Sequence, residues 1–202
     1  MAVTGIVLFG FVVGHMLGNL QVYLGPHALN AYAESLRKVP ALLWGVRLLL
    51  LVSVALHIWA ATSLTLDNRR ARPRGYRARR YQEATYASRT MVWSGPILAL
   101  FVAYHLAHLT FGTAHPSFQP GDVYHNFVTG FQSVPVSLFY IAAMLALGLH
   151  LYHGVWSMLQ TIGLSHPRYN RLRHAFATLL TLVVVAGNIS FPLAVLAGFV
   201  HE

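Results

Sequence analysis

The sequence predicts an all-α membrane protein with five transmembrane helices in one bundle, and three observations carry that prediction. Of its 202 residues, 56% are hydrophobic and only 9% charged, with a mean hydropathy of +0.54, unlike an ordinary water-soluble domain. Five stretches, roughly 3–24, 41–66, 91–112, 135–162 and 175–200, each offer the about 20 mostly apolar residues that a bilayer core requires. The arginines crowd into alternate connections, as they do in membrane proteins of fixed orientation. Little chain remains for anything outside the membrane, so 1–202 reads as a single transmembrane domain.

The first span opens almost at Met1 with no basic region ahead of it and no convincing small-residue cleavage site. Further spans follow, so it is expected to be a retained helix rather than a signal peptide. Gly10, Gly14 and Gly18 recur every four residues beside His15. That spacing suits close helix–helix packing, and it equally suits room for a flat cofactor. In the first connection, Ala28, Leu29, Ala31, Tyr32, Ala33 and Leu36 predict a short amphipathic helix at the interface.

Between the second and third spans lie Arg69, Arg70, Arg72, Arg74, Arg77, Arg79, Arg80 and Arg89, with Tyr76, Tyr81 and Tyr86 interleaved. The link from the fourth span to the fifth adds Arg168, Arg171 and Arg173. The segment Thr113–Val134 has neither lysine nor arginine, and Arg37, Lys38 and Arg47 are the only counterweight near the first connection. The positive-inside rule then puts both arginine-rich loops and the N-terminus in the cytoplasm, and the C-terminus outside. Read this way, the formal net charge of +9 is chiefly a topology signal. Docking of a soluble partner or anionic lipid is a second use for the same face. The run is too short to supply a nucleic-acid platform, so no such partner is expected. The segment 113–134, with Pro116, Pro120, Gly121, His115, Asp122 and His125, reads as an ordered polar cap on the outer side. The chain has no cysteine, which excludes disulfides, thiolate metal sites and cysteine-held iron–sulfur clusters.

Four of the five spans carry a histidine, namely His15, His57, His105 with His108, and His150 with His153, and no span carries a carboxylate. Ionisable groups at membrane depth are costly and mark function or pairing. Imidazoles without acids point away from proton relays and towards metal or haem ligation. At about 1.5 Å of rise per residue from the cytoplasmic end, His15 lies roughly 18 Å up and His105 roughly 21 Å. His57 falls near about 10 Å, His150 near about 18 Å and His153 near about 13 Å. An outer pair from spans one and three thus separates from an inner pair from spans two and four, with counting alone slightly preferring His153 to His150. Two neutral imidazoles from facing helices are what a low-spin haem iron takes as axial ligands. Members of each i, i+3 couple share a helix face, so one can ligate while the other meets a propionate, a quinone carbonyl or backbone.

The chain resembles the cytochrome b subunit of succinate:quinone oxidoreductases (succinate dehydrogenases and fumarate reductases), in the form with a single five-helix anchor and two haems. The resemblance is carried by Ala2-Val3-Thr4-Gly5, Gly14-His15-x-x-Gly18-Asn19-Leu20 and Leu29-Asn30-Ala31-Tyr32-Ala33. It continues through Leu56-His57, Phe101-Val102-x-Tyr104-His105 and His150-x-x-x-Gly154-x-Trp156-Ser157. It implies two haems b, the distal one held by His15 and His105 and the proximal one by His57 and His150, with His108 and His153 as alternates. It implies a flavoprotein subunit and an iron–sulfur subunit docked on the cytoplasmic, arginine-rich side of a bacterial inner membrane, and leaves room for a higher oligomer. Electrons would pass from succinate, oxidised on the partner subunits, to menaquinone or another quinone. His27, Asn30, Tyr32 and Glu34 are candidates for the quinone site, and Arg47 and Arg89 for propionate partners. Some two-haem relatives carry a glutamate near the fourth-helix ligand. Here Leu147, Gly148 and Leu149 precede His150, so that transmembrane proton route is not carried over. Many relatives also have a polar, basic segment ahead of the first helix, which this sequence does not show. Against this reading stand the cytochrome b subunit of a hydrogenase or formate dehydrogenase and, in a different class, a histidine-lined metal or haem transporter. Transporters commonly add acids or broken helices along the path.

Overall fold

A computed structural model of the chain describes residues 1–71 and 85–202. Arg72, Arg74, Arg77, Arg79 and Arg80, with Tyr76 and Tyr81, lie outside the described residues. Among the described residues five helices are long and apolar enough to cross a membrane, and no strand forms. The protein is therefore a multi-pass, all-helical membrane protein.

Helix α1 (Ala2–Asn19) runs on through a 3₁₀ turn, Leu20–Leu24. It stops at Gly25, whose φ of +93° is open to glycine, and Pro26 then starts α2 (Pro26–Arg37). This is the expected amphipathic helix: Leu29 is buried, while Glu34 and Lys38 pair at 3.5 Å in the open. Helix α3 (Pro40–Arg70) again starts on a proline. Its 31 residues reach about 46 Å, longer than the bilayer core. Arg69 and Arg70 close it, where cations suit the negative end of the helix dipole. Helix α3 packs on α1 and α2, and Leu42, Trp44, Leu48, Leu51 and Trp59 point outwards, exposed, as a lipid-facing helix requires.

Helix α4 (Tyr86–Leu109) begins five residues before the expected 91, because Thr85 caps it by accepting from the Ser88 N–H at 3.1 Å. It ends before the expected 112. Gly112 turns the chain at φ +74°, and the Phe118 ring covers the place of its missing side chain. The segment 113–134 holds more order than a polar cap: α5 (Val123–Gln132) buries Tyr124, Phe127, Val128 and Phe131. The Asp122 carboxylate caps α5 by accepting from the His125 N–H at 2.9 Å, which with Asn30 holds its carboxyl below the usual range. Helices α6 (Val134–Thr161) and α7 (Asn170–Leu196) form the most extensive packed pair, and α4 lies against α6. The Val185 side chain approaches Gly148, and the Met16 thioether fills the space over Gly187. Arg173, placed by the sequence in the link between the fourth and fifth spans, is buried in the first turn of α7. Its guanidinium stands 4.1 Å over the Trp156 ring and donates to Ser165 and Asn170.

One end of the bundle is packed with aromatic rings. Phe101, Phe127, Phe131, Tyr140 and Phe191 interlock edge-to-face where α2 and α5 cap the long helices, with centroids 4.8–5.6 Å apart, the arrangement aromatic quadrupoles favour.

Candidate functional site

The four central histidines meet in two pairs. At the capped end, His15 of α1 and His105 of α4 have ring centroids 5.8 Å apart, nearly perpendicular. Deeper, His57 of α3 and His150 of α6 are 6.3 Å apart. His57 packs beside Thr4 and Gly5 of α1, which lie eleven and ten positions before His15. The two pairs thus stand about 16 Å apart along α1.

Each pair can be tested against a six-coordinate haem iron. Metal–imidazole bonds run about 2 Å, and adding roughly 1 Å from nitrogen to ring centre on each side gives about 6 Å between centroids of two trans imidazoles. Both pairs match that span. The donor set matches as well. Among the described residues no three His, Cys, Asp or Glu side chains converge on a point, so each pair offers two imidazole donors, the number that a haem iron would take from the protein. Space is open along the exposed side of α1: a side chain added at Gly10 or Gly14 would meet nothing within 4 Å, and the same is true at Gly154, one turn beyond His150. Of the two uses open to the Gly10–Gly14–Gly18 series, only Gly18 packs closely, against Tyr32.

Hydroxyl groups from neighbouring helices hold three of the rings by Nδ1. Thr4 donates its own proton to the Met1 carbonyl at 2.9 Å, so its oxygen accepts from His57 Nδ1–H at 3.0 Å. That leaves the Nε2 lone pair of His57 free for a metal. Ser94, fully buried, lies 3.4 Å from His150 Nδ1, and the Tyr140 hydroxyl 3.3 Å from His105 Nδ1. Such second-layer bonds fix ring orientation and tautomer in metal-binding histidines. His15 is stacked on Phe11 instead, at 5.2 Å. None of Thr4, Ser94 or Tyr140 stands out in the sequence as part of a site. Serine and threonine in a helix ordinarily bond their own backbone, and nothing local distinguishes the ones that reach another helix.

The alternates lie elsewhere. His108 is completely buried, stacked on Tyr104 and on His115 and bonded to Tyr140. His153 sits half-buried one turn along α6 from His150. Among the quinone candidates, Asn30 is committed to structure. Its amide donates to Asp122 at 2.9 Å and its carbonyl oxygen accepts from the Tyr124 N–H at 3.0 Å, joining α2 to α5. Tyr32 packs on Gly18. His27, Asn30 and Glu34 line a shallow open groove with Arg37 and Gly121. Arg47 lies over Trp44 at 5.0 Å and Arg89 over Tyr86 at 5.7 Å.

Fold and site together define a membrane-embedded helical bundle with two stacked histidine pairs. Residues 65–187 match the succinate dehydrogenase/fumarate reductase transmembrane subunit family, and the chain belongs to that family. The matched stretch includes His105 and His150, while His15 and His57 precede it. Comparisons with curated proteins and with solved structures found no match. The protein is thus a membrane anchor subunit of the succinate dehydrogenase/fumarate reductase type.

Proposed function

We propose that this anchor is a dihaem cytochrome b, in which His15 and His105 hold the outer haem and His57 and His150 the inner one. The observation that carries the proposal is the pairing itself. Four histidines from four separate helices meet two by two at a separation that suits trans ligation. When bound, haem supplies one-electron chemistry between its ferric and ferrous states. The chain does the rest. Thr4, Ser94 and Tyr140 hold the ligand rings, and Gly10 and Gly14 leave space along α1.

In this reading the chain passes electrons between an iron–sulfur subunit and a membrane quinone, menaquinone or another, while dicarboxylate chemistry stays on a flavoprotein subunit. The arginine-rich side would face the cytoplasm of a bacterium and receive those subunits, with the N-terminus inside and the C-terminus outside. The groove of His27, Asn30, Glu34 and Arg37 is the candidate approach for the quinone head. Because Asn30 is already spent on α5, His27 and Glu34 are the stronger candidates within it. Tyr32, packed on Gly18, lies outside the groove's lining and is the weaker candidate. Arg47 and Arg89 remain candidates for propionate pairing.

Optical redox titration of the purified complex tests the reading. Two b-type haems with separate midpoint potentials are expected. His57→Ala and His150→Ala should each remove the inner one, and His15→Ala and His105→Ala the outer one. A fully assembled complex without haem, or loss of different haems from the two members of a pair, would overturn it.

A further inference from the structure

Tyr140 of α6 stands between two imidazoles of α4. Its hydroxyl is 3.3 Å from His105 Nδ1 and 3.0 Å from His108 Nδ1. A phenol has one proton to give and lone pairs to receive, so the two contacts cannot both be bonds that it donates. Which one it donates rests on the proposed role of His105. A neutral imidazole that ligates through Nε2 keeps its proton on Nδ1, so His105 donates to the Tyr140 oxygen. The tyrosine's own proton then has His108 Nδ1 as its acceptor. The direction of both bonds is set.

We propose that Tyr140 and His108 form a fixed acceptor ladder behind His105, which orients the outer ligand ring and strengthens its donation to the metal. A ladder of this kind works only if its members cannot turn away, and here they cannot. The His108 ring lies between Tyr104, stacked at 5.5 Å and 16°, and His115, stacked at 5.0 Å and 26°. Gly130 is pressed so close that an added methyl would stand 2.8 Å from His108 Cε1. His115 is pinned in turn, because the Ser117 N–H donates to its Nδ1 at 3.1 Å and its Nε2–H donates to the Asn126 carbonyl at 2.8 Å. Tyr140 is wedged edge-on between Phe101 at 5.1 Å and Phe131 at 4.8 Å.

The rest of His108 points the same way. Its Nε2 is buried with no hydrogen-bond partner among the described residues. An unsatisfied buried polar atom is a cost that folds seldom carry without a reason. The ladder gives one, since the ring is held there for what Nδ1 does. His108 is then no spare ligand but the support of the support. Tyr140 and His108 are positioning residues, acting on the metal only through His105.

A better acceptor on Nδ1–H makes the ligating nitrogen more basic, which favours the ferric state and lowers the midpoint potential. The test is a redox titration of both haems, with low-temperature electron paramagnetic resonance of the ferric signals, on the assembled complex. Tyr140→Phe should move the outer midpoint upward by as much as about tenfold in the ferric-to-ferrous ratio, about 59 mV for one electron. Its ferric signal should move too, with the inner haem unchanged. His108→Leu should shift the outer haem in the same direction by less. An unmoved outer midpoint in Tyr140→Phe, or equal movement of both haems, overturns the ladder. Should Tyr140→Phe lose the outer haem altogether, His108→Leu decides: a shifted outer midpoint supports the ladder and an unshifted one rejects it. His105→Ala separates this from failure of the ligand assignment. Retention of the outer haem there defeats the assignment itself, whereas its loss combined with unmoved potentials in the other variants defeats the ladder alone.

Discussion

Gly14 and Gly18 are one turn apart on α1, yet they face different things. A methyl group added at Gly14 meets no atom within 4 Å, whereas at Gly18 it would lie 2.7 Å from Cε1 and 2.8 Å from Cζ of Tyr32. Alanine is favoured over glycine inside a helix by about 1 kcal/mol, and overpacking a filled contact costs about 1–3 kcal/mol. Gly14→Ala is therefore expected to stabilise the bundle by up to about 1 kcal/mol. Gly18→Ala should destabilise it by about 0–2 kcal/mol once the same propensity gain is subtracted. Gly14→Phe goes further and fills the open space beside His15. It should evict the outer haem while helix content and the inner haem persist. Thermal unfolding in detergent, followed by circular dichroism, reads the first two variants, and haem per complex reads the third. If Gly14→Ala destabilises as much as Gly18→Ala, or Gly14→Phe retains both haems, the open space beside His15 is not a cofactor cradle and the reasoning fails.

Thr4→Val removes the oxygen that accepts from His57 Nδ1 while keeping the shape of the side chain. A bond worth about 0.5–1.5 kcal/mol should appear as an upward shift of the inner midpoint alone, and an unchanged inner haem would show that the bond is dispensable. Asn30→Leu cuts both links between α2 and α5 and should cost about 1–3 kcal/mol in thermal unfolding. A change in quinone KM with stability intact would instead assign Asn30 to the quinone. At the capped end, His125 Nε2 donates to the Ser117 carbonyl and its Nδ1 faces Glu202. The Ser117 carbonyl first, then Glu202 and Asp122, raise its pKa above the ordinary 6.5. A raised histidine pKa stabilises fully below the unfolded value and is lost as pH rises through the folded one. Hydrogen-exchange protection of 198–202, corrected for intrinsic rate, should therefore fall as pH rises above the ordinary histidine range, and His125→Gln should abolish that dependence.

The helices were legible in the sequence because a bilayer leaves few choices. An apolar stretch long enough to cross must satisfy its backbone internally, so composition and length alone mark the five spans, and the amphipathic α2 shows in its spacing. The ends were less legible. Thr85 extends α4 backwards by a capping bond, and Gly112 ends it by turning, both short-range effects that hydropathy averages away. Helix α5 was missed because prolines and polar residues surround it, while the pull that orders it, burial of Phe127 and Phe131 against α6 and α7, comes from residues distant in the chain.

What the sequence determined by itself is the class of protein and the chemistry on offer: five spans, imidazoles in four of them, no embedded acid and an ordered set of motifs. Those follow from side-chain type and from spacing along one helix. Depth counting alone leaned slightly towards His153, the family motif implied His150, and the structure puts His150 opposite His57. Tertiary structure alone decided the partners of the rings. Thr4 reaches His57, Ser94 reaches His150, and Tyr140 reaches both His105 and His108. The physical reason is rotation. Depth follows from counting residues at a fixed rise, but the direction a side chain faces depends on how each helix is turned against its neighbours, and packing sets that.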